Sequence, residues 1–339
     1  MGDTAPPGLD LAKLGGYLDR ELPGLVTGPL RADVVEGGRS NLTYAVTDGT
    51  SRWVVRRPPL GHVLPTAHDM TREHRVITAL GPTSVPVPET LALCEDPEVL
   101  GAPFYLMEFV EGTPYRSRAQ MEELPPEQVG AIGQSVVDTL VELHAVRPES
   151  VGLAGFGRPE GFLERQVRRW KKQLDASRSR DLPGADTLHE RLAATVPVSP
   201  EPAIVHGDYR LDNVLVADGR ITAVLDWEMS TLGDPLADLG LMIVYTERDV
   251  PAGLAISDAT SAAGYPSPEE VVSRYAERSG RDVSALNWYI AFGFFKLAVI
   301  AEGIFFRFSQ GKTVGSGFDH AGKLVSLLLE QGTLKLKED

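Results

Sequence analysis

The sequence predicts an α+β protein of two lobes, a β-rich N-terminal lobe joined through a short apolar connector to a mainly α-helical C-terminal lobe. Three observations predict it. A chain of 339 residues exceeds what one small core usually organises. Residues 30–110 carry β-branched runs broken by Gly-Gly and Asp-Gly, the pattern of antiparallel hairpins. From about Pro125 onward, apolar positions recur at helical spacing instead.

The elements follow in order. LAKLGGYLDREL (11–22) opens the chain as a short helix. LRADVVEGGRSNLTYAVTDGTSRWVVRRPP (30–59) then reads as strands around two turns. HDMTREHRVITAL (68–80) is helical, with Met70, His74, Ile77 and Leu80 on one side, and the Pro-rich SVPVPET closes that unit. CEDPEVLGAPFYLMEFVEG (94–112) reads as a further hairpin, whose almost wholly apolar second strand FYLMEFV belongs in a sheet interior. PEQVGAIGQSVVDTLVELHAV (126–146) has apolar residues at 129, 132, 136, 137, 140, 143 and 146, an amphipathic stripe. Further helices are expected over 160–177, 186–195, 234–247, 268–280 and 285–308. Between them, AIVHGD and NVLVADGRITAVLDW read as short strands around a turn. The expected division is 1–107 for the first lobe, 108–112 for a hinge and 113–339 for the second lobe.

Composition excludes several classes. Hydrophobic content of 42% with 24% charged residues is that of an ordinary globular chain. A formal net charge of −14 argues against nucleic-acid binding, which needs a basic surface. The single Cys94 allows no intramolecular disulfide and, at the end of the strand LALC, reads as core filling. MGDTAPPGLD shows no secretory pattern, and Pro6 stands where myristoylation needs Ser or Thr. Lys296, Glu302 and Arg307 interrupt the apolar run 291–308, which reads as a buried helix rather than a membrane span. The expectation is a cytoplasmic monomer or homodimer with neither nucleic-acid nor membrane partners.

The chemistry concentrates in IVHGDYRLDNVLVADGRITAVLDWEMSTLGDPLADLG (204–240). Asp208, Asp226 and Asp234 stand there next to apolar runs, and an unpaired carboxylate away from water is costly unless a cation neutralises it. Asp208 precedes Asn213 by five residues, the order in which a phosphotransferase places a base for the acceptor hydroxyl and a metal-binding Asn. Arg210, two after the base, stands where protein kinases carry a Lys that neutralises the transferring phosphoryl group. Asp226, 18 residues after Asp208 and beyond the turn ADGR, stands where such enzymes place their principal magnesium ligand. Upstream, EGGRSN (36–41) offers a Gly turn for phosphates, with Gly37, Gly38, Ser40 and Asn41, or simply a hairpin turn. Arg56 in the strand WVVR is the candidate phosphate cation, or a strand end reaching solvent. Glu73, 17 residues later on the helix TREHRVI, is the acid expected to hold it.

HGDYRLDNVL together with VLDWEMSTLGDPLADLG resembles the aminoglycoside phosphotransferase/choline kinase-like family over about residues 30–310. RRPPLGHVLPTAHDMTREHRVITAL, VPVPETLALCED and GAPFYLMEFVEG resemble more closely the branch fused, in some proteins, to acyl-CoA dehydrogenase domains and associated with phosphorylating hydroxyacyl-CoA. The resemblance implies a bilobal protein-kinase-like fold, ATP and Mg2+. It implies Asp208 as catalytic base with Arg210 beside it, Asn213 and Asp226 as metal ligands, and Arg56 with Glu73 as the phosphate anchor. It also implies adenine contacts from the Glu108 carbonyl and the Val110 amide, with Met107 behind the base.

Two departures stand out: Arg56 replaces the usual Lys, and LDWE replaces D-F-G. Trp227 is expected to pack, or to border the acceptor. Asp234 and Asp238 are expected to brace a helix start, with Asp238 bonding the catalytic-loop backbone, and His206 to act as a hydrogen-bonding brace. Glu302 and Arg307 are acceptor-site candidates, or else members of a buried ion pair. Two rivals are a metal-dependent hydrolase using His206 and Asp208, and a catalytically silent nucleotide-binding module. The small-molecule hydroxyl acceptor is left open among a hydroxyacyl thioester, an aminoglycoside and a sugar-like alcohol.

Overall fold

The computed structural model describes residues 6–35, 41–61, 68–199, 201–246, 257–311 and 321–337. The chain divides into two units, the first formed by Met1–Gly112 with Thr222–Ser230, the second by Thr113–Ile221 with Thr231–Asp339. The segment Thr222–Ser230, which the sequence reading placed in the second lobe, therefore belongs with the first. Two hydrogen bonds tie it there: Val224 N–H donates to the Pro86 carbonyl at 2.8 Å, and Arg72 Nη2 donates to the Ser230 carbonyl at 3.0 Å.

Unit 1 begins with α1 (Leu11–Glu21), capped by Asp10, whose carboxylate accepts the N–H groups of Ala12 and Lys13. Its sheet contains β1 (Arg31–Val34), β2 (Leu42–Thr47), β3 (Arg52–Arg57), β4 (Thr90–Cys94) and β5 (Phe104–Glu108), in the order β1-β2-β3-β5-β4, all neighbours antiparallel. The helix α2 (Met70–Leu80) packs on β4 and β5. As expected of an apolar strand, β5 lies inside the sheet. The β4–β5 connection is not a bare turn: it holds α3 (Pro97–Leu100), with Pro97 at the first helical position, Asp96 capping Glu98 and Gly101 closing the turn at φ 82°.

Strand alternation sorts the side chains onto two faces. Trp53, Val55, Phe104 and Leu106 join Leu14 and Leu18 of α1 in one buried cluster. Val54, Arg56, Tyr105 and Met107, out of step by one residue, take the opposite face. Arg57 falls on the α1 side and donates to the carbonyls of Gly8 and Leu100 at 2.5 and 2.7 Å. Adjacent arginines thus have unrelated jobs, decided by parity alone.

Unit 2 is mainly helical: α4 (Arg118–Glu122), α5 (Pro126–Ala145), α6 (Phe162–Ser177) and α7 (Ala185–Ala194) precede four short strands. These are β6 (Ala203–Val205), β7 (Val214–Ala217), β8 (Arg220–Val224), whose residues from Thr222 on count with unit 1, and β9 (Thr231–Gly233). β6 pairs antiparallel with β9, and β7 pairs with β8 across Asp218-Gly219, both at positive φ (50° and 72°), as a two-residue hairpin turn requires. Then come α8 (Leu236–Thr246), α9 (Pro268–Ser279), α10 (Leu286–Ser309) and α11 (Ala321–Lys335). The apolar stripe of α5 is buried through Val129, Ile132, Val136, Val137, Leu140 and Leu143. By length and composition α10 could cross a membrane, yet most of it is buried against α6, α7, α8 and α11, which is how a core helix reads. The sequence reading proposed no helix for α11; Gly322 and Gly332 lower its propensity, and packing of Leu324, Val325, Leu328 and Leu329 overrides that.

The helices α8 and α10 approach closely at Gly240. A Cβ built on Gly240 would stand 2.7 Å from the Tyr289 carbonyl carbon and 2.9 Å from its oxygen. Gly240→Ala is therefore expected to force the two helices apart and to cost about 1–3 kcal/mol. A lower denaturant midpoint at unchanged slope checks this.

Candidate active site

In unit 1, register places Thr43 opposite Arg56, and Arg56 Nη1 donates to the Thr43 hydroxyl at 3.2 Å. Arg56 Nε donates to Glu73 at 3.0 Å, so the strand cation and the helix acid, 17 residues apart, meet. Its Nη2 donates to Asp226 Oδ1 at 2.5 Å. Glu73 is 1% exposed. Burial works against the charge of Arg56, but Glu73, Tyr105 and Asp226 outweigh it and its pKa rises. Burial pushes Glu73 up, with the guanidinium beside it opposing the shift. Asp226 takes left-handed backbone (φ 65°, ψ 59°), a conformation sparsely populated outside glycine that costs of order 1 kcal/mol. Strain of this kind turns the chain sharply at the end of β8.

The remaining unit 1 candidates are placed as follows. Met107 is buried on the face that carries Arg56. Glu108 ends β5 with its N–H on the Glu89 carbonyl at 2.8 Å, and Val110 follows in irregular chain. Asn41 is 3% exposed; its amide donates to Glu228 at 3.1 Å and faces His68 Nδ1 at 2.8 Å. Gly37, Gly38 and Ser40 lie outside the described residues. Trp227 is 0% exposed, with its indole N–H on the Val224 carbonyl at 2.9 Å; it is a packing residue with no surface to border an acceptor.

In unit 2, the catalytic-loop candidates form one network. Asp238 of α8 accepts the N–H groups of His206 at 2.6 Å and Gly207 at 2.8 Å. His206 is fully buried, and its Nδ1 accepts the Asp208 N–H at 3.3 Å, the bracing arrangement. Asp208 Oδ1 accepts the Tyr245 hydroxyl at 3.1 Å, while Oδ2 accepts Asn213 Nδ2 at 2.9 Å. Asn213 Nδ2 also donates to the Asp208 carbonyl at 2.9 Å. Arg210 Nε stands 3.5 Å from Asp208 Oδ2, and its guanidinium lies 5.1 Å from the centre of the Tyr245 ring. Burial and the neighbouring Asp208 hold Tyr245 well above the usual phenol range, so it stays a donor. Asp234 caps α8 through Leu236 N–H at 3.0 Å and accepts Tyr289 at 2.7 Å.

Four contributors escaped the sequence reading. Tyr245 holds the Asp208 carboxylate; Lys296 donates to the Gly207 carbonyl at 2.8 Å; His144, bonded to Tyr275 at 2.8 Å, backs Asp238 at 3.3 Å. A Lys inside the otherwise apolar AFGFFKLAVIA is the visible signal for Lys296. The acceptor candidates on α10 fare differently. Glu302 is fully buried and accepts two bonds from Arg180, at 3.1 and 2.8 Å, so the ion-pair alternative holds for it, with Arg180 rather than Arg307 as partner. Arg307 is exposed. Among the described residues no three His, Cys, Asp or Glu gather as a metal cluster.

The family model described as "Phosphotransferase enzyme family" matches residues 32–271, and the chain belongs to that family. A solved protein from Ralstonia eutropha, provisionally assigned as an aminoglycoside phosphotransferase, is 32% identical, with 97% of this chain and 98% of that one covered at a TM-score of 0.84. Acyl-CoA dehydrogenase family member 11 from Gallus gallus is 36% identical over 95% of this chain but 43% of its own length. The chain thus spans less than half the length of the curated relatives it first matches. At 15% identity, a thermostable mutant of aminoglycoside phosphotransferase APH(4)-Ia, solved with AMP-PNP and hygromycin B, shares the kinase-like fold over 96% of this chain (TM-score 0.63).

Proposed function

We propose that this protein transfers the γ-phosphoryl group of ATP to a hydroxyl of a small molecule, with a hydroxyacyl thioester of coenzyme A as the acceptor class. The observation that carries the reading is the Asp208 carboxylate, held on one oxygen by Tyr245 and on the other by Asn213, on a loop whose backbone Asp238 fixes. A carboxylate so oriented can take a hydroxyl proton without first reorganising. In unit 2, Arg210 beside it offsets charge developing on the transferred group. In unit 1, Arg56 has the fork to take phosphate oxygens, steadied by Glu73, while Glu108 and Val110 offer backbone groups to the base with Met107 behind it.

Each unit carries a hard oxygen donor that suits Mg2+, Asn213 in unit 2 and Asp226 in unit 1. Asn213 commits its Nδ2 to Asp208, which leaves the amide oxygen as its remaining polar atom. When bound, Mg2+ would supply neutralisation of phosphate charge. The acceptor class draws support from the relative named an acyl-CoA dehydrogenase, 36% identical to this chain. The test is a side-by-side incubation of the chain with ATP·Mg2+ and either hydroxyacyl-CoA thioesters or aminoglycosides, reading ADP release and product mass. Phosphorylated thioester is the expected product. Phosphorylated antibiotic alone would move the acceptor to the aminoglycosides, and nucleotide binding with no product from either class would favour a silent binding module.

A further inference from the structure

We propose that Lys296 is a positioning residue of the catalytic loop: its ammonium fixes the Gly207–Asp208 peptide, so that phosphoryl transfer, and not nucleotide binding, depends on it. The inference rests on the phosphotransferase reading above and extends that reading to the long apolar helix α10.

A cation is costly in such a helix unless something holds it there. Lys296 sits between the buried Phe295 and Leu297, with Nζ 5.6 Å from the centre of the Trp170 ring. Among the described residues it makes no ion pair within 4.0 Å; its hydrogen bond goes to the Gly207 carbonyl at 2.8 Å. A neutral apolar residue would pack there with less desolvation cost. The charge therefore serves the loop it touches, through the Gly207 carbonyl and the favourable field of the Asp208 and Asp238 carboxylates.

That carbonyl matters because of where it lies. Gly207 adopts φ 83°, a region glycine enters freely, so local backbone preference does not fix the next peptide plane. The plane is fixed from outside. Asp238 holds the N–H groups of His206 and Gly207; Lys296 takes the carbonyl of the Gly207–Asp208 peptide; and His206 Nδ1 takes its N–H at 3.3 Å. The direction in which Asp208 leaves the backbone depends on that one plane. One bond to Gly207 uses one of three ammonium donors, and the others have no acceptor among the described residues.

The full chain is compared as wild type, Lys296→Met, Lys296→Arg and Asp208→Asn. Three quantities are read: kcat for ADP release from ATP·Mg2+ with a hydroxyacyl-CoA thioester as acceptor, affinity for AMP-PNP·Mg2+ by calorimetry, and thermal midpoint. The methionine variant, similar in length and neutral, is expected to lose about 100-fold in kcat. Its AMP-PNP affinity is expected to stay within about threefold of wild type, and Arg to recover most of the rate. Wild-type kcat in Lys296→Met with an inactive Asp208→Asn would overturn the proposal and leave the phosphotransferase reading standing. Loss of midpoint and nucleotide affinity in step with kcat would make Lys296 merely structural, and would overturn it as well. Turnover undiminished in Asp208→Asn, or absent from the wild type, would remove the phosphotransferase reading itself.

Discussion

Replacing Asp208 by Asn is expected to lower kcat by about 10²–10⁴-fold, the usual contribution of a positioned general base, while changing nucleotide affinity far less. The substitution isolates the chemistry because the surrounding bonds can survive it. Asp208 receives the Tyr245 hydroxyl on Oδ1 and Asn213 Nδ2 on Oδ2, with Arg210 near the second oxygen. An asparagine oriented with its oxygen toward Asn213 and Arg210 keeps those donors satisfied. Its amide then faces Tyr245, whose hydroxyl can rotate to accept. The loop itself hangs from Asp238 and Lys296, and neither bond involves the Asp208 side chain. What disappears is the negative oxygen able to accept a proton. Steady-state kcat against KM for ATP, with the thermal midpoint as control, reads the split. A variant with near-wild-type kcat would remove Asp208 from the chemistry.

How much of this arrangement was legible in the chain follows from sequence distance. Asp208, Arg210 and Asn213 occupy one loop, so their order alone brings them together. Arg56 and Glu73 required only a strand followed by a helix, with 17 residues between them. Yet nothing in WVVRR distinguishes Arg56 from Arg57; the strand's phase against α1 and α2 does that. Tyr245 reaches Asp208 across 37 residues, Lys296 reaches Gly207 across 89, and Arg180 meets Glu302 across 122. Such meetings are decided by how helices pack. A long-range side-chain bond leaves no periodic trace, although a lone charge inside an apolar helix marks a partner to be sought. The helix α11 stayed invisible for the related reason that packing outweighed its glycines.

Asp238→Asn is expected to destabilise the protein by about 1–3 kcal/mol at pH 7 and to slow turnover together with it. Asp238 is 1% exposed and accepts three donors: the N–H groups of His206 and Gly207 and, at 3.3 Å, the ring of His144. An amide keeps one acceptor oxygen and sets an NH2 against a donor that must go unanswered in a dry site, and there the lost partner costs more than the bond contributed. Burial alone would raise the Asp238 pKa; His144, His206 and the Gly207 N–H outweigh it, and the folded value lies below the ordinary carboxylate range. A depressed folded pKa means that this contribution is fully present above the unfolded value near 3.9 and fades as pH falls through the folded one. The stability gap between wild type and Asp238→Asn should therefore hold steady from neutral pH down to about pH 5 and close below about pH 4. Denaturant titrations of both proteins across that range measure it. A gap independent of pH would mean that the two loop N–H bonds need only an oxygen and not its charge, and the loop bearing Asp208 would then be held by geometry alone.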